Sequence, residues 1–306
     1  MCLSGIPTLF VFSYSEDMSN ICIHIGLVIA SVIVGINPMY AQHKEQFQFV
    51  HKAIYEVNYL SDSLDQQSKK QQMTELLLGD GASLFRSSQK ADEDSSYMAY
   101  LKSKVIRMEV PQITLMGEVN AFNYQVVKDY SSGQTKVYDE YSGSNLNNIK
   151  EVAYYFEPQE AMSNWTLTED TLTINGHLCQ RADIEFGGRK WTAWFSPDMS
   201  AYSDGPYKFS GLPGLIFRVH DVKKTWNFEL VELSKIDTLV HINFKDGLKF
   251  KETTKQQLNK DRRHFQKNKI EINEAAGADF GDSRASAKSK LEEYILQDNN
   301  WIELYD

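Results

Sequence analysis

The chain has 306 residues, 42% of them hydrophobic, enough for one large domain or two ordinary ones with a sizeable core. Its formal net charge of -9 argues against a duplex nucleic-acid partner, which requires a concentrated basic surface. No internal repeat, Rossmann glycine fingerprint or P-loop is present, and no cofactor is expected.

Residues 21–36, ICIHIGLVIASVIVGI, are almost continuously apolar and lead into NPMYAQ, where Ala41 closes a small-residue cleavage pattern before Gln42. This is the pattern of a secretory signal peptide, and it is too short for an assured membrane span. The expectation is that residues 1–41 are removed and that 42–306 form a single exported β-rich domain, periplasmic or otherwise outside the cytoplasm, with no transmembrane segment. Glu16 and Asp17 are unusual before such a run, whereas Met18 would begin a signal of ordinary length. Beyond residue 41 only Cys179 remains, so an internal disulfide is excluded.

From Gln42 onward the dominant period is two. AIYEVNYL at 53–60 reads as a strand, and 62–78 reads as a short helix or a long polar connection. NYQVVKDY at 123–130, the turn Ser131-Ser132-Gly133 and QTKVYDEY form a predicted hairpin. Further strands are expected at 152–157, 171–174, 180–186, 190–195, 215–220, 225–233 and 239–244. Asn175-Gly176 and Gly187-Gly188 each supply the positive φ that tight hairpin turns require. Such short connections leave no room for parallel crossovers. The predicted fold is all-β or β-rich α+β: a large curved antiparallel sheet, half-barrel or open barrel, with one or two peripheral helices. Residues 251–268 lack Gly and Pro and space Leu258, Arg262 and Phe265 as a helix does. Their Lys255, Lys260, Arg262, Arg263 and Lys267 read as a solvated face, since Glu252 and Asp261 interrupt the basic strip. Residues 272–290, rich in Ala, Gly, Ser and Asp, read as a mobile loop.

Few residues suggest chemistry. Strand 190–195 alternates Trp191, Ala193 and Phe195 with Lys190, Thr192 and Trp194, and an apolar cavity lined by Trp191 or Trp194 with Trp226 and Phe228 would suit an apolar ligand. The carboxylates Asp183, Glu185, Asp198, Asp204 and Asp221 are spread over several elements. His220-Asp221 is the most suggestive pair, yet no two histidines beyond residue 41 lie at a recognised metal spacing, and no metal site is expected. Cys179 reads as a small buried hydrophobe. The stretch GPYKFSGLPGLI, residues 205–216, reads as a structural corner. Gly205 and Pro206 turn the chain, Tyr207 and Phe209 enter the core, and Gly211 and Gly214 allow a tight bend that Pro213 stiffens after Leu212. Leu215 and Ile216 then resume the sheet.

The same residues resemble the hallmark of the GLPGLI family, a group of exported proteins from Bacteroidetes. The similarity extends to Gly176, Cys179 and Ala182, then to Gly188, Arg189, Trp191, Ala193 and Trp194, then to Gly205–Ile216 and to Asp221. Trp165 and Leu167, the SLFRS stretch at 83–87, and the ending Asn299-Asn300-Trp301-Ile302-Glu303-Leu304 also resemble family segments. Membership implies an exported β-rich protein and carries over no catalytic residues. Together these readings predict a non-enzymatic envelope protein that binds an apolar small molecule or a periplasmic or outer-membrane protein. A metal-dependent or acid-base hydrolase using Asp204, His220 and Asp221 is one alternative, and a purely structural interaction domain is another.

Overall fold

The period-two alternation forms strands wherever one face of the pleat meets the core. The computed structural model describes residues 45–103, 121–139, 151–242, 249–275 and 277–304. The expected signal peptide and the end of the strand expected at 239–244 lie outside these. In chain order the elements are β1 (Glu45–Leu60), β2 (Lys69–Leu78), β3 (Ala82–Ser87), α1 (Ser88–Ser103), β4 (Tyr124–Asp129), β5 (Gln134–Asp139) and β6 (Glu151–Pro158). There follow β7 (Thr166–Ile174), β8 (His177–Phe186), β9 (Arg189–Ser196), β10 (Leu215–Asp221), β11 (Trp226–Ile242), β12 (Lys249–Glu252), α2 (Lys255–Lys267), α3 (Lys269–Ala275) and α4 (Arg284–Gln297).

The strands form one 12-stranded sheet in the order β12-β6-β5-β4-β3-β2-β1-β11-β10-β9-β8-β7. Neighbours are antiparallel except for β12 and β6, which run parallel. The outer strands β12 and β7 are not paired with each other, so the sheet is open and the fold is β-rich α+β. The hairpins fall where the turn chemistry places them. Asn175-Gly176 and Gly187-Gly188 all have positive φ, and Phe186 pairs with Arg189 across the second turn. Gly133, at φ 64, turns β4 into β5.

Strands β2 to β6 are buried on both faces over the stretches that pair with one another at the centre. Leu76, Phe85, Val126, Val137 and Tyr155 belong to one core, while Leu77, Leu84, Val127, Tyr138 and Tyr154, one residue away in each strand, belong to the other. The larger core fills the concave side. β3 and β11 are three positions apart, about 14 Å in a flat sheet, yet the rings of Phe85 and Phe228 lie 6.5 Å apart, so the sheet curls around them. On the other side α1 covers β2 and β3 through Arg86, which pairs with Glu75 at 2.7 Å and with Asp94 at 3.1 Å.

Three sequence readings are corrected. Of residues 62–78, only 62–68 form a polar connection, with a single 3-10 turn at Gln66–Ser68; β2 occupies 69–78 between β1 and β3. The first half of β2 is almost wholly exposed and the second half, Thr74–Leu78, is buried on both faces, so neither half shows the alternation that would have revealed it. The helix expected at 251–268 begins at Lys255, capped by the Thr254 hydroxyl, since β12 takes the preceding residues. The stretch 272–290 is not one loop. It holds the end of α3 and the start of α4, anchored by buried Ile270 and Leu291.

The segment 205–216 is the connection into β10. Tyr207 and Phe209 are buried, and the Gly211 N–H donates to the Ser203 carbonyl at 3.1 Å. A Cβ on Gly211 (φ 83) would lie 2.6 Å from the Met162 carbonyl oxygen, and one on Gly214 would lie 2.1 Å from that of Ser196. Gly214→Ala is therefore expected to cost at least about 1 kcal/mol through forced backbone movement. Leu215→Ala, at a fully buried site, is expected to cost about 2 to 5 kcal/mol. Urea unfolding of both variants checks this, and unchanged midpoints would refute the corner reading.

Candidate functional site

The polar side chains of the concave face meet beneath three covering pieces: the 205–216 loop, α2 and the C-terminal tail 298–304. Lys128 lies on β4 between strands buried on both sides and is fully buried itself. Its ammonium donates to Asp204 Oδ1, to the Gly205 carbonyl at 2.7 Å and to the Phe209 carbonyl at 3.0 Å. All three donors are used. Burial draws the lysine below its ordinary pKa, and the facing Asp204 carboxylate opposes that. Asp204 also accepts from Tyr130 Oη at 2.6 Å and from the Gly205 N–H at 2.6 Å.

The loop then presents Tyr207 and Lys208 to the tail. Lys208 Nζ contacts Glu157 of β6 and, at 2.6 Å, Glu303. Lys255, at the start of α2, pairs with the other oxygens of the same two carboxylates, at 2.6 Å and 2.5 Å. Two lysines and two glutamates thus form a closed alternating ring, to which Tyr207 Oη and Tyr155 Oη add hydrogen bonds. Burial alone would raise the Glu303 carboxyl, but Lys208 and Lys255 outweigh it and hold it down to about 2. Beside the ring, Arg262 pairs with Asp139, whose Oδ1 has no hydrogen-bond partner among the described residues.

A second tether holds the tail from the other side. Arg189, at the start of β9, donates to Asp221 at 3.2 Å, to Thr225 Oγ1 at 3.1 Å, to Asn300 Oδ1 at 2.6 Å and to the carbonyls of Trp301 and Ile302. The Leu304 N–H donates to the Gly187 carbonyl at 2.7 Å. The tail lies so close to Gly187 and Gly188 that a Cβ on Gly187 would meet Glu303 Cγ at 2.7 Å.

This seating opens a cleft of about 280 Å³ between α2, α4 and the tail. Arg263, Gln266 and Lys267 line it from α2, Ile295 from α4, and Asp298 and Trp301 from the tail. The Arg263 guanidinium lies over the Trp301 ring at 5.1 Å. Gln266 Nε2 donates to Asp298 Oδ2 at 3.3 Å. Burial raises the Asp298 carboxyl above its ordinary value. Arg263 and Lys267 are exposed and have no ion-pair partner among the described residues.

The residues singled out from sequence fall elsewhere. Trp191, Trp226 and Phe228 are core residues. Trp191 packs edge-on against Phe209 at 4.8 Å, and Trp226 stacks on Tyr59 at 4.6 Å and on Phe228 at 6.2 Å. Trp194 is half-buried and alternates to the opposite face of β9. Asp204 and Asp221 are not brought together. The Ile216 N–H donates to the Asp204 carbonyl at 2.9 Å, and Asp221 lies five residues further along β10, about 16 Å away at strand spacing. Each carboxylate is occupied by its own buried cation. His220 Nδ1 lies 3.0 Å from the carbonyl oxygen of its neighbour Asp221. Among the described residues no group of three or more His, Cys, Asp or Glu is placed to hold a metal ion, and no helix is long and apolar enough to cross a membrane. Cys179 is free and buried, with burial pushing its thiol up to about 11.

Lys128 and Lys208 escaped the sequence reading, whereas the cleft cations Arg263 and Lys267 were read as part of a solvated face and are exposed, without the cleft beside them being foreseen. The spacing of Arg263 and Lys267, four residues apart on one helix face, was the available signal. The basic strip is not uniformly solvated: Lys255 and Arg262 turn inward to carboxylates.

No family model and no curated protein matches the chain. Among solved structures, the chain is similar to PNGF-II in the P21 space group, with 12% identity and a TM-score of 0.48 over 70% of this chain and 33% of that one. It is also similar to PNGF-II in the C2 space group, with 12% identity and a TM-score of 0.46 over 71% and 33%. The chain spans about a third of the length of the structures it matches.

Two predictions test this architecture. Lys128→Met leaves Asp204 buried without its cation and is expected to cost about 3 to 5 kcal/mol in urea unfolding, whereas the double variant with Asp204→Asn loses less than the sum of the single changes. For Glu303 the folded carboxyl titrates near 2 against an ordinary 4.5. Its stabilisation is therefore complete above pH 4.5 and is lost as pH falls toward 2. The midpoint difference between the protein and Glu303→Gln should shrink over that range; a constant difference would show that the charge does not hold the tail.

Proposed function

We propose that the chain is an exported envelope protein of the GLPGLI family and that it acts by binding a small molecule in the cleft between α2, α4 and the tail. Export is supported by the apolar run at 21–36 and the small-residue pattern ending at Ala41. The family reading is supported by the way its signature residues serve one another. Gly188 and Arg189 seat the tail, Trp191 packs on Phe209, and Tyr207 bonds Glu303.

The observation that carries the binding reading is a division of charges. The lysines and carboxylates of the loop and ring are buried or half-buried and paired with one another. Arg263 and Lys267 stand without ion partners among the described residues, beside the aromatic ring of Trp301 at a concave opening. Convergent polar groups around an aromatic platform are the usual make-up of a small-ligand site.

A second reading, acid-base hydrolysis, is favoured by one feature of the same cleft. Asp298 and Glu303 both line it, the first raised and the second held near 2, and divergent carboxyls are how acid and base roles are divided. The Glu303 oxygens are already engaged by Lys208, Lys255 and Tyr207, so binding is the leading reading.

Gentle purification from the native envelope followed by mass spectrometry of retained small molecules tests both. Retention is expected to fall at least tenfold in Arg263→Gln/Lys267→Gln with unchanged thermal unfolding. A retained ligand indifferent to that change would refute the cleft. Turnover of the retained ligand that stops in Asp298→Asn would favour hydrolysis.

A further inference from the structure

We propose that the cleft takes a small hydroxylated carboxylate, of the chemical class of a sugar acid; this rests on the binding reading of the cleft. Size sets the first limit. At about 280 Å³ the cavity lies just below the ~300 Å³ at which drug-sized ligand sites begin, so the occupant is one small ring rather than a lipid chain.

Charge sets the second. The Lys208, Lys255, Glu157 and Glu303 ring balances itself, two cations against two carboxylates. The remaining charged groups of the lining are Arg263, Lys267 and Asp298, which leaves a single positive charge in excess. One carboxylate neutralises it. A doubly charged phosphate would overshoot and would face Asp298.

Geometry sets the third. Arg263 rests with its guanidinium over the Trp301 indole at 5.1 Å, which restrains the side chain at the opening, and with no ion pair among the described residues its N–H groups remain to receive a planar carboxylate at two points. Lys267 lies one turn further along α2 and adds a point charge. Gln266 and Asp298 also line the cleft, and the bond between them uses only one oxygen of Asp298 and the amide nitrogen of Gln266. Their remaining oxygens are acceptors and call for ligand hydroxyls. Ile295 supplies an apolar surface for the ring carbons.

The test is isothermal titration calorimetry of the full chain at low salt with D-glucuronic acid, D-glucose and inorganic phosphate as probes. Glucuronate is expected to bind at least tenfold more tightly than either of the others, and to weaken at least tenfold in Arg263→Gln/Lys267→Gln. Both residues are exposed, so thermal unfolding of this variant should match the parent. Glucose binding as tightly as glucuronate, and equally in the variant, would overturn the carboxylate while leaving a cleft that binds rings. Phosphate binding as tightly as glucuronate would overturn the hydroxyl contacts. Absence of glucuronate binding would overturn the inference, and the fate of the natively retained molecule in the same variant then decides whether the cleft itself is a site.

Discussion

Lys128 and Asp204 form a buried ion pair with no exposed side-chain surface, and the concave half of the molecule is arranged around it. Such a pair contributes little net stability over well-packed apolar residues, because desolvating two charges offsets most of their attraction. Its effect is positional. The three donors of one ammonium fix Asp204, Gly205 and Phe209 at once, and so set where the loop turns. Tyr55 adds a hydrogen bond to the Ile216 carbonyl at 2.6 Å, pinning the far end of the loop to the centre of the sheet. From there Tyr207 and Lys208 reach Glu303, the tail settles onto Gly187 and Gly188, and Trp301 comes to stand beside α2. The cleft is the last consequence of a charge pair at the sheet.

The strain in the loop fits this order. Tyr207 has φ 54, an uncommon conformation for a residue with a large side chain, and it persists because both ends of the side chain's surroundings are fixed. Its ring packs against Phe85, Phe122 and Tyr124 while its hydroxyl bonds the tail. The ammonium of Lys208 lies 5.2 Å and 5.3 Å from the Tyr155 and Tyr207 rings, so the buried charge is solvated by π faces as well as by carboxylates.

The sheet was legible where turns and alternation agreed, as around Gly187-Gly188 and in the β4–β5 hairpin. It was obscured where a strand is covered on both faces, since Leu76, Leu77 and Leu78 then form a continuous apolar run that a helix shares. The helices at 269–297 were hidden by Gly277 and Gly281, whose positive φ breaks the segment between them, and by Ser and Asp, which favour caps and turns. The site was less legible than the fold. Asp204 and Asp221 drew attention as carboxylates, but their neutralising partners sit 76 and 32 residues away in sequence. Spacing cannot reveal such pairs. Lys208 stands between Tyr207 and Phe209 in a stretch read as an apolar corner, which disguised a residue that joins three segments.

The pairing of β1 with β11 puts residues 45–60 beside 226–242 in the middle of the sheet. Contacts of such high sequence separation form late and slow folding, because the intervening chain must be organised before they are gained. An elongating polypeptide therefore has no continuous sheet until it has passed residue 242 of 306. Because β11 is the strand that joins β1 to β10, a nascent chain that has not reached residue 226 holds two separate half-sheets, each with an unpaired inner edge, and the closing strand must cover both edges at once.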